Sequence, residues 1–359
     1  MELPPIWLGA SFTAWLKVLR GHAVSPRNLP LAAMISAASM VNSSLGVLQS
    51  LVFGLQIGRT RLDLAPIFVI GHWRTGTTLL HELLALDQNH TFPNNYTCFA
   101  PHHFLLTERL FGHAFDWLLP AVRPMDGVPI KYDSPQEDEF ALCNLGASSP
   151  YRAITFPASN SSCAAMVDQE EHTFEARQKW IRTYLWFLRA LTYREPKRLV
   201  LKSPVHMFRV PRLLELFPNA RLVHIVREPL ATVVSTIAMW TTLYRSQALQ
   251  PFDRLSLPKR VIENYLAAYA HLDSSRSLMR AGQFHELRYE DLVHDPVLQM
   301  NRLYSALDLG EFPLVTPQAI SFLHWMKQYR QRSYEVSDED RDSIRKDCAM
   351  IAQRYGYST

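Results

Sequence analysis

The sequence predicts a three-layer α/β sandwich, with a central, mainly parallel sheet and an N-terminal helical extension. Three observations carry that prediction. Short apolar runs at 67–70, 199–201 and 222–226 each precede a stretch of helical spacing, the pattern of successive βαβ units. The first run opens directly into a loop bounded by Gly71 and Gly76. Upstream, residues 28–58 contain no charged side chain yet repeat at helical spacing. A chain of 359 residues, 48% of them hydrophobic, is long enough to bury a large core.

In chain order, the extension comes first, with boundaries expected at 1–62 for it and 63–359 for the main domain. Met34, Ala38, Val41, Leu45, Leu48, Val52 and Leu55 recur at spacings of four and three, a strong apolar seam along one helix face. Ser36, Ser39, Asn42, Ser43, Ser44, Gln49, Ser50 and Gln56 are expected on the opposite face. That face is too polar for a lipid-spanning helix, which wants ~20 predominantly apolar residues. A helix packed on the protein or lying at a membrane surface fits the pattern better. The start Met1-Glu2-Leu3-Pro4-Pro5 lacks the basic region of a secretory signal. Cys98, Cys143, Cys163 and Cys348 show neither Cys-x-x-Cys pairing nor metal-ligand spacing, so reduced thiols in the cytoplasm are expected, with peripheral membrane contact through 28–58 as an addition.

Next come the strand Ile67–Ile70, the loop, and a helix marked by Leu79, Leu80, Leu83, Leu84 and Leu86. Gly71 and Gly76 let backbone N–H groups converge on an anion at the helix N-terminus. Thr75, Thr77 and Thr78 add hydroxyl donors, and Arg74 adds a forked cation beside the positive end of the helix dipole. The chemistry is that of a phosphate cradle, P-loop-like in its strand–loop–helix order. It is not the nucleotide-triphosphatase form, which needs a lysine directly after the second glycine; Thr77 stands there.

Two further strand ends carry cations. Arg227 follows the strand 222–226, and Ser235 stands eight residues later on the next helix. An arginine at the carboxyl end of a parallel strand points into the crevice where open α/β sheets bind ligands, and the serine lies about two helical turns further on. Lys202 ends the strand 199–201 in Leu201-Lys202-Ser203-Pro204-Val205-His206; its alternative role is a strand-end lysine reaching solvent. A fourth strand is expected at 283–288, ahead of Tyr289-Glu290-Asp291-Leu292.

Arg74-Thr75-Gly76-Thr77-Thr78, the Arg227–Ser235 spacing and Leu201-Lys202-Ser203-Pro204-x-His206 together resemble the sulfotransferases that use 3′-phosphoadenosine 5′-phosphosulfate (PAPS), in particular the broad group of bacterial and tyrosylprotein-like enzymes. The Arg288-Tyr289-Glu290-Asp291-Leu292 run resembles the same family. The resemblance covers most of 63–310. It implies transfer of a sulfuryl group from PAPS to a hydroxyl or amine; no metal is expected, because the cysteines and the dispersed histidines show no ligand spacing. Gly71, Arg74, Thr75, Gly76, Thr77 and Thr78 would take the 5′-phosphosulfate, Arg227 and Ser235 the 3′-phosphate, Lys202 the sulfate or bridging oxygen, and Tyr289 would belong to the cofactor site. Tyrosylprotein enzymes place a glutamate about twenty residues after the loop arginine, whereas here that neighbourhood is Phe92-Pro93-Asn94-Asn95, which argues against that acceptor.

The proton acceptor has two candidates. His206 lies shortly after the strand lysine, and imidazole titrates near neutrality, which suits the task. The alternative is the cluster Glu137-Asp138-Glu139, of which Glu137 is expected in a capping box with Ser134 as N-cap and Pro135 at the first helical position. Asp138 and Glu139 either take part in chemistry or are solvated helix-start carboxylates. His206 is favoured. Amphipathic helices are expected at 171–192 and 257–279, the first with Trp180, Tyr184 and Leu188 as core.

The formal charge of +4 is modest and scattered, so nucleic acid is not expected as a partner. A hydroxylated small molecule, lipid or carbohydrate is the expected acceptor. Two rival functions remain at this stage: a P-loop kinase or nucleotide triphosphatase, and a non-catalytic membrane-associated binding protein.

Overall fold

The structure is a computed structural model, and it describes residues 4–62, 65–122, 129–157, 162–312, 317–328 and 336–358. The chain divides into two compact units: 1–63 with 92–196 and 239–255, and 64–91 with 197–238 and 256–359.

The second unit holds a five-stranded sheet of β1 (Ile67–Ile70), β2 (His90–Thr91), β3 (Arg198–Lys202), β4 (Arg221–Val226) and β5 (Phe284–Arg288), in the order β2-β3-β1-β4-β5. Every pairing is parallel. β1, at the centre, is buried at all four positions, as expected for a strand covered on both faces. Because strand side chains alternate, Ile67, Val69, Val223, Ile225 and Leu287 share one face and pack with Leu80, Leu83 and Leu84 of the helix Thr77–Ala85 and with Met300, Leu303 and Leu307. Each such leucine, fully buried, contributes roughly 1.5–3 kcal/mol of transfer free energy. On the opposite face, Phe68 meets His206, and His224 meets Tyr269 of the helix Leu257–Ser275, edge to ring in both cases. Two covered faces make three layers.

β2 lies outside the sequence reading, since two residues carry no periodicity. The helix expected at 257–279 ends at Ser275 and passes into a 3₁₀ turn, Arg276–Leu278.

The first unit is helical. Residues 1–62, expected as an extension of their own, fall in this unit together with 92–196 and 239–255. The physical reason is a set of specific polar ties. The Ile6 N–H donates to Gln247 Oε1 at 3.0 Å, and Trp7 Nε1 donates to Thr155 Oγ1 at 2.6 Å. The stretch expected as one helix over 171–192 is two, Cys163–His172 and Phe174–Arg194, with Thr173 between them in extended geometry.

The long N-terminal helix runs Leu29–Arg59. The face it turns to the protein is in part the polar one. The seam residues Met34, Val41, Leu48, Val52 and Leu55 are exposed, whereas Ser39, Asn42 and Gln49 are buried. Asn42 Nδ2 donates to the carbonyls of Leu8 (2.8 Å) and Ala10 (3.1 Å). Gln49 Oε1 accepts from the Leu105 N–H at 2.8 Å, Ser36 Oγ from Trp15 Nε1 at 2.9 Å, and Ser43 Oγ from the Phe12 N–H at 2.8 Å. Backbone donors and acceptors that need partners select the polar face for packing. The helix is also long and apolar enough to cross a membrane by length and composition.

Candidate active site

In the second unit the carboxyl ends of β1, β3, β4 and β5 lie side by side. Val69 pairs with Lys202, Ile70 with His224, and Val226 with Arg288. The residues that follow these pairs are therefore the Gly71 loop, Lys202 itself, Arg227 and Tyr289. Parallel register alone brings together groups from four distant parts of the chain, at the sheet edge where α/β folds bind ligands.

The loop is tight. A Cβ on Gly71 would stand 2.7 Å from the Ile225 carbonyl oxygen of β4. Gly76 has φ +100°, and a Cβ there would stand 2.3 Å from the Tyr289 ring. Only glycine combines that backbone with that approach. Thr75 closes the turn, its N–H at 3.2 Å and its hydroxyl at 2.8 Å from the His72 carbonyl. The helix Thr77–Ala85 then starts, placing Thr77 and Thr78 in its first turn with their N–H groups outside the helical bonding pattern.

Arg74 sits at the apex with φ +71°, a conformation uncommon for a side chain of this size. Its Nε donates to Ser235 Oγ at 2.9 Å, and its carbonyl accepts from Arg227 Nη1 at 3.1 Å. The Arg227 guanidinium lies 4.8 Å from the centre of the Tyr289 ring, a cation–π contact. Burial, assisted by the positive charge of Arg74, holds Arg227 below the ordinary arginine range. Arg74, Arg227, Ser235 and Tyr289 thus form one connected group. An anion bound beside it would relieve the repulsion between the two guanidinium groups.

Lys202 is buried at the end of β3. Its charge reaches His81 on the helix after the loop: burial first, and the lysine second, lower His81 to about 3, so that this imidazole is neutral near pH 7. His206 is fully buried in the 3₁₀ helix Pro204–Phe208, whose start is capped by Ser203 Oγ accepting from the Val205 N–H at 3.2 Å. Its ring stands edge-on to Phe68 at 5.4 Å.

Asp138 and Glu139 belong to the first unit. They open the helix Asp138–Asn144 and are fully buried, so they are not solvated helix-start carboxylates. Asp138 Oδ2 accepts from Tyr184 Oη at 2.7 Å. The expected capping box does not form: Glu137 is itself the N-cap without a side-chain cap bond, and its carboxylate accepts from the Tyr151 hydroxyl. Ser134 Oγ accepts instead from the Lys131 N–H. A capping box of this kind appears at Asn94, whose side chain accepts from the Thr97 N–H while Thr97 Oγ1 accepts from the Asn94 N–H.

Sequence reasoning missed the supporting roles of Thr236, Glu228 and His81 in the second unit. Thr236 Oγ1 lies 3.1 Å from the Trp73 carbonyl and so ties the loop to the helix Pro229–Gln247. Glu228 caps that helix, accepting from the N–H groups of Leu230 and Ala231, while Glu290 Oε1 accepts from the Glu228 N–H. A glutamate before a proline at a strand-to-helix junction was the readable signal for Glu228. Thr236 and His81 carry no local signal, because their partners are remote in sequence. Among the described residues, no group of three or more His, Cys, Asp or Glu side chains could hold a metal ion.

This sheet order, the glycine-bounded loop and the cationic strand ends are the features of a sulfuryl-transfer enzyme. A family model described as the Sulfotransferase family matches residues 66–313, and the chain belongs to that family. Across 98% of its length it is 41% identical to proteins of Mycobacterium bovis and Mycobacterium tuberculosis named omega-hydroxy-beta-dihydromenaquinone-9 sulfotransferase, covering 91% of each. Its fold is similar to the crystal structure of a sulfotransferase from Mycobacterium avium, with TM-score 0.67 and 17% identity over 96% of this chain and 92% of that one. A second sulfotransferase structure, from Mycobacterium tuberculosis H37Rv, gives TM-score 0.61 and 18% identity over 94% and 90%. The protein is a sulfotransferase, which sets aside the kinase and non-catalytic alternatives.

Proposed function

We propose that the enzyme moves the sulfuryl group of PAPS to the hydroxyl of a lipid acceptor. The observation that carries the donor assignment is the connected group Arg74–Ser235–Arg227–Tyr289 beside the Gly71–Thr78 loop. In this reading the loop amides, Arg74 and the Thr75, Thr77 and Thr78 hydroxyls hold the 5′-phosphosulfate. Arg227 and Ser235 hold the 3′-phosphate, and Tyr289 supports Arg227 and the loop at Gly76.

The acceptor oxygen attacks sulfur, a new S–O bond forms, and the S–O bond to the 5′-phosphate breaks, releasing 3′-phosphoadenosine 5′-phosphate. Negative charge grows on the departing phosphate oxygen, where the Lys202 ammonium stabilises it. The hydroxyl proton passes to His206, with Asp138 and Glu139 as the competing acceptors. A sulfuryl group carries less charge than a phosphoryl group, so side-chain cations suffice where phosphoryl transfer commonly recruits Mg²⁺.

The lipid class rests on the mycobacterial relatives, whose name gives a menaquinone derivative as their acceptor. A cytoplasmic location is supported by four buried cysteines, none of them in a disulfide. The test is turnover in the presence of chelator with labelled PAPS against hydroxylated prenyl quinones, sterols, glycolipids and short sugars. Transfer to prenyl quinones above the rest supports the reading. Transfer to sugars alone overturns the lipid class, and failure to bind 3′-phosphoadenosine 5′-phosphate by calorimetry overturns the donor.

A further inference from the structure

We infer that the outward face of the helix Leu29–Arg59 is a docking surface for an anionic lipid bilayer, on which the helix lies in the plane of the membrane. This goes beyond the acceptor assignment and does not depend on it. The helix buries polar residues at its middle and leaves large apolar ones outside. Ser36, Ser43, Asn42 and Gln49 are spent on the protein, while Leu51 (79% exposed) and Leu55 (69%) face outward with Val41, Leu48, Val52 and Ser44. Extracting the helix to span a bilayer would break the bonds of Asn42, Ser43 and Gln49 and carry those side chains into hydrocarbon. An in-plane position keeps them paired and removes the apolar face from water.

The apolar surface continues onto the neighbouring helix. Gln49 meets Leu105, the Phe53 ring lies tilted 5.9 Å from that of Tyr193, and Arg194 pairs with Glu108 at 3.1 Å, so this end of the long helix adjoins the helix Phe104–Phe115. Two residues beyond Glu108, Leu110 is 75% exposed, and Trp117 in the following 3₁₀ turn is 84% exposed. An indole left in water at a rim is the residue type that favours the lipid–water interface.

Charge names the occupant. Residues 3–62 hold no aspartate or glutamate, yet Lys17, Arg20, Arg27, Arg59 and Arg61 stand in that stretch, all exposed. Arg27 precedes the helix, while Arg59 and Arg61 lie at its far end, roughly 46 Å away at 1.5 Å per residue. Cations at both ends of an uncharged apolar face complement anionic headgroups. A second copy of the chain fits less well. Packed on this face it would bring the same cations, Arg27, Arg59 and Arg61, with no carboxylate from residues 3–62 to pair with them.

Flotation of the full chain with acceptor-free vesicles tests the inference, using phosphatidylcholine alone or mixed with phosphatidylglycerol. The wild type is expected to float with the mixed vesicles and less with the neutral ones. The double variant Leu51→Glu/Leu55→Glu should reduce partitioning about tenfold or more, with melting temperature and turnover of a short, water-soluble alcohol unchanged. Trp117→Ser should give a smaller loss, and Arg27→Glu with Arg59→Glu should remove the preference for phosphatidylglycerol. Equal flotation of wild type and double variant overturns the inference. So does a lipid-free dimer that the double variant converts to monomer, and so does a helix fragment protected from protease across a sealed bilayer.

Discussion

Arg74 and Ser235, separated by 161 residues in the chain, are joined by a hydrogen bond of 2.9 Å from guanidinium Nε to hydroxyl oxygen. The bond ties the loop proposed for the 5′-phosphosulfate to the helix proposed for the 3′-phosphate. Donor recognition then becomes a coupled process. Ser235→Ala is expected to weaken 3′-phosphoadenosine 5′-phosphate by about tenfold, since hydrogen bonds to charged groups are worth roughly 1.5–3 kcal/mol. Its effect should not add to that of Arg74→Ala, because the two side chains are in contact. Calorimetry of both single variants and the double variant measures the coupling; simple additivity would show that the bond is incidental.

Arg227→Ala removes both a proposed phosphate ligand and the donor to the Arg74 carbonyl. Loss of affinity is expected to be larger for 3′-phosphoadenosine 5′-phosphate than for adenosine 5′-phosphosulfate, which lacks the 3′-phosphate. Equal losses would assign Arg227 to loop support alone.

Gly76→Ala places a methyl group against the Tyr289 ring in a backbone conformation with φ +100°. Destabilisation of ~1 kcal/mol or more is expected from the backbone alone, and nucleotide binding should fall with it. Pairing it with Tyr289→Ala should recover the part due to the clash and leave the part due to φ. Thermal melts with and without nucleotide separate the two.

For the chemical step, Lys202→Ala should lower turnover by orders of magnitude while changing nucleotide affinity little, because the ammonium acts on charge present mainly in the transition state. His206→Ala should do likewise if the imidazole takes the acceptor proton. An active His206→Ala beside a folded but inactive Asp138→Asn would transfer the base to the carboxylate pair.

Acid should unfold the protein in two overlapping windows. Burial lowers His72 and His81 to about 3 and His103 to about 4, with the Lys202 charge adding to the effect at His81. Below 6.5 the unfolded chain takes up protons that the native one refuses, so stability falls as pH drops from 6.5 toward 3. Glu286 acts at lower pH. Its burial favours the neutral acid, but hydrogen bonds and charge from His224 and Arg276 prevail and bring it from 4.5 to about 2. Its contribution is intact above 4.5 and disappears as pH falls toward 2. Glu286→Gln should therefore flatten the lower limb of a stability–pH curve and leave the limb between 6.5 and 4.5 in place.

The parts of the fold that were readable in the sequence are those whose signals are local. β1, β3 and β4 announce themselves as apolar runs ending in a cation or a glycine, β5 by its place ahead of Tyr289-Glu290-Asp291-Leu292, and the loop residues follow from their spacing. What escaped depended on remote partners. The seam of the long helix was visible, but only the carbonyls of Leu8 and Ala10 and the N–H groups of Leu105 and Phe12 decide that the polar face turns inward. Glu137 had the sequence of a capping residue, yet Tyr151 provides a competing donor for its carboxylate. Thr173 interrupts a helical pattern that continues on both sides of it.

The register of the sheet has a consequence for how the gene tolerates changes in length. Lys202, Arg227 and Tyr289 sit at the ends of strands, and each end is fixed by pairing with a neighbour: Lys202 with Val69, and the last pair before Arg227 and Tyr289 being Val226 with Arg288. Substitutions within β4 alter packing, but a single codon gained or lost there turns every later side chain of the strand to the other face and moves Arg227 off the loop. The same codon inserted at Pro218–Asn219, exposed ahead of β4, leaves that pairing intact. Indel scanning should thus trace the active site as short stretches of intolerance at strand ends, separated by permissive connections.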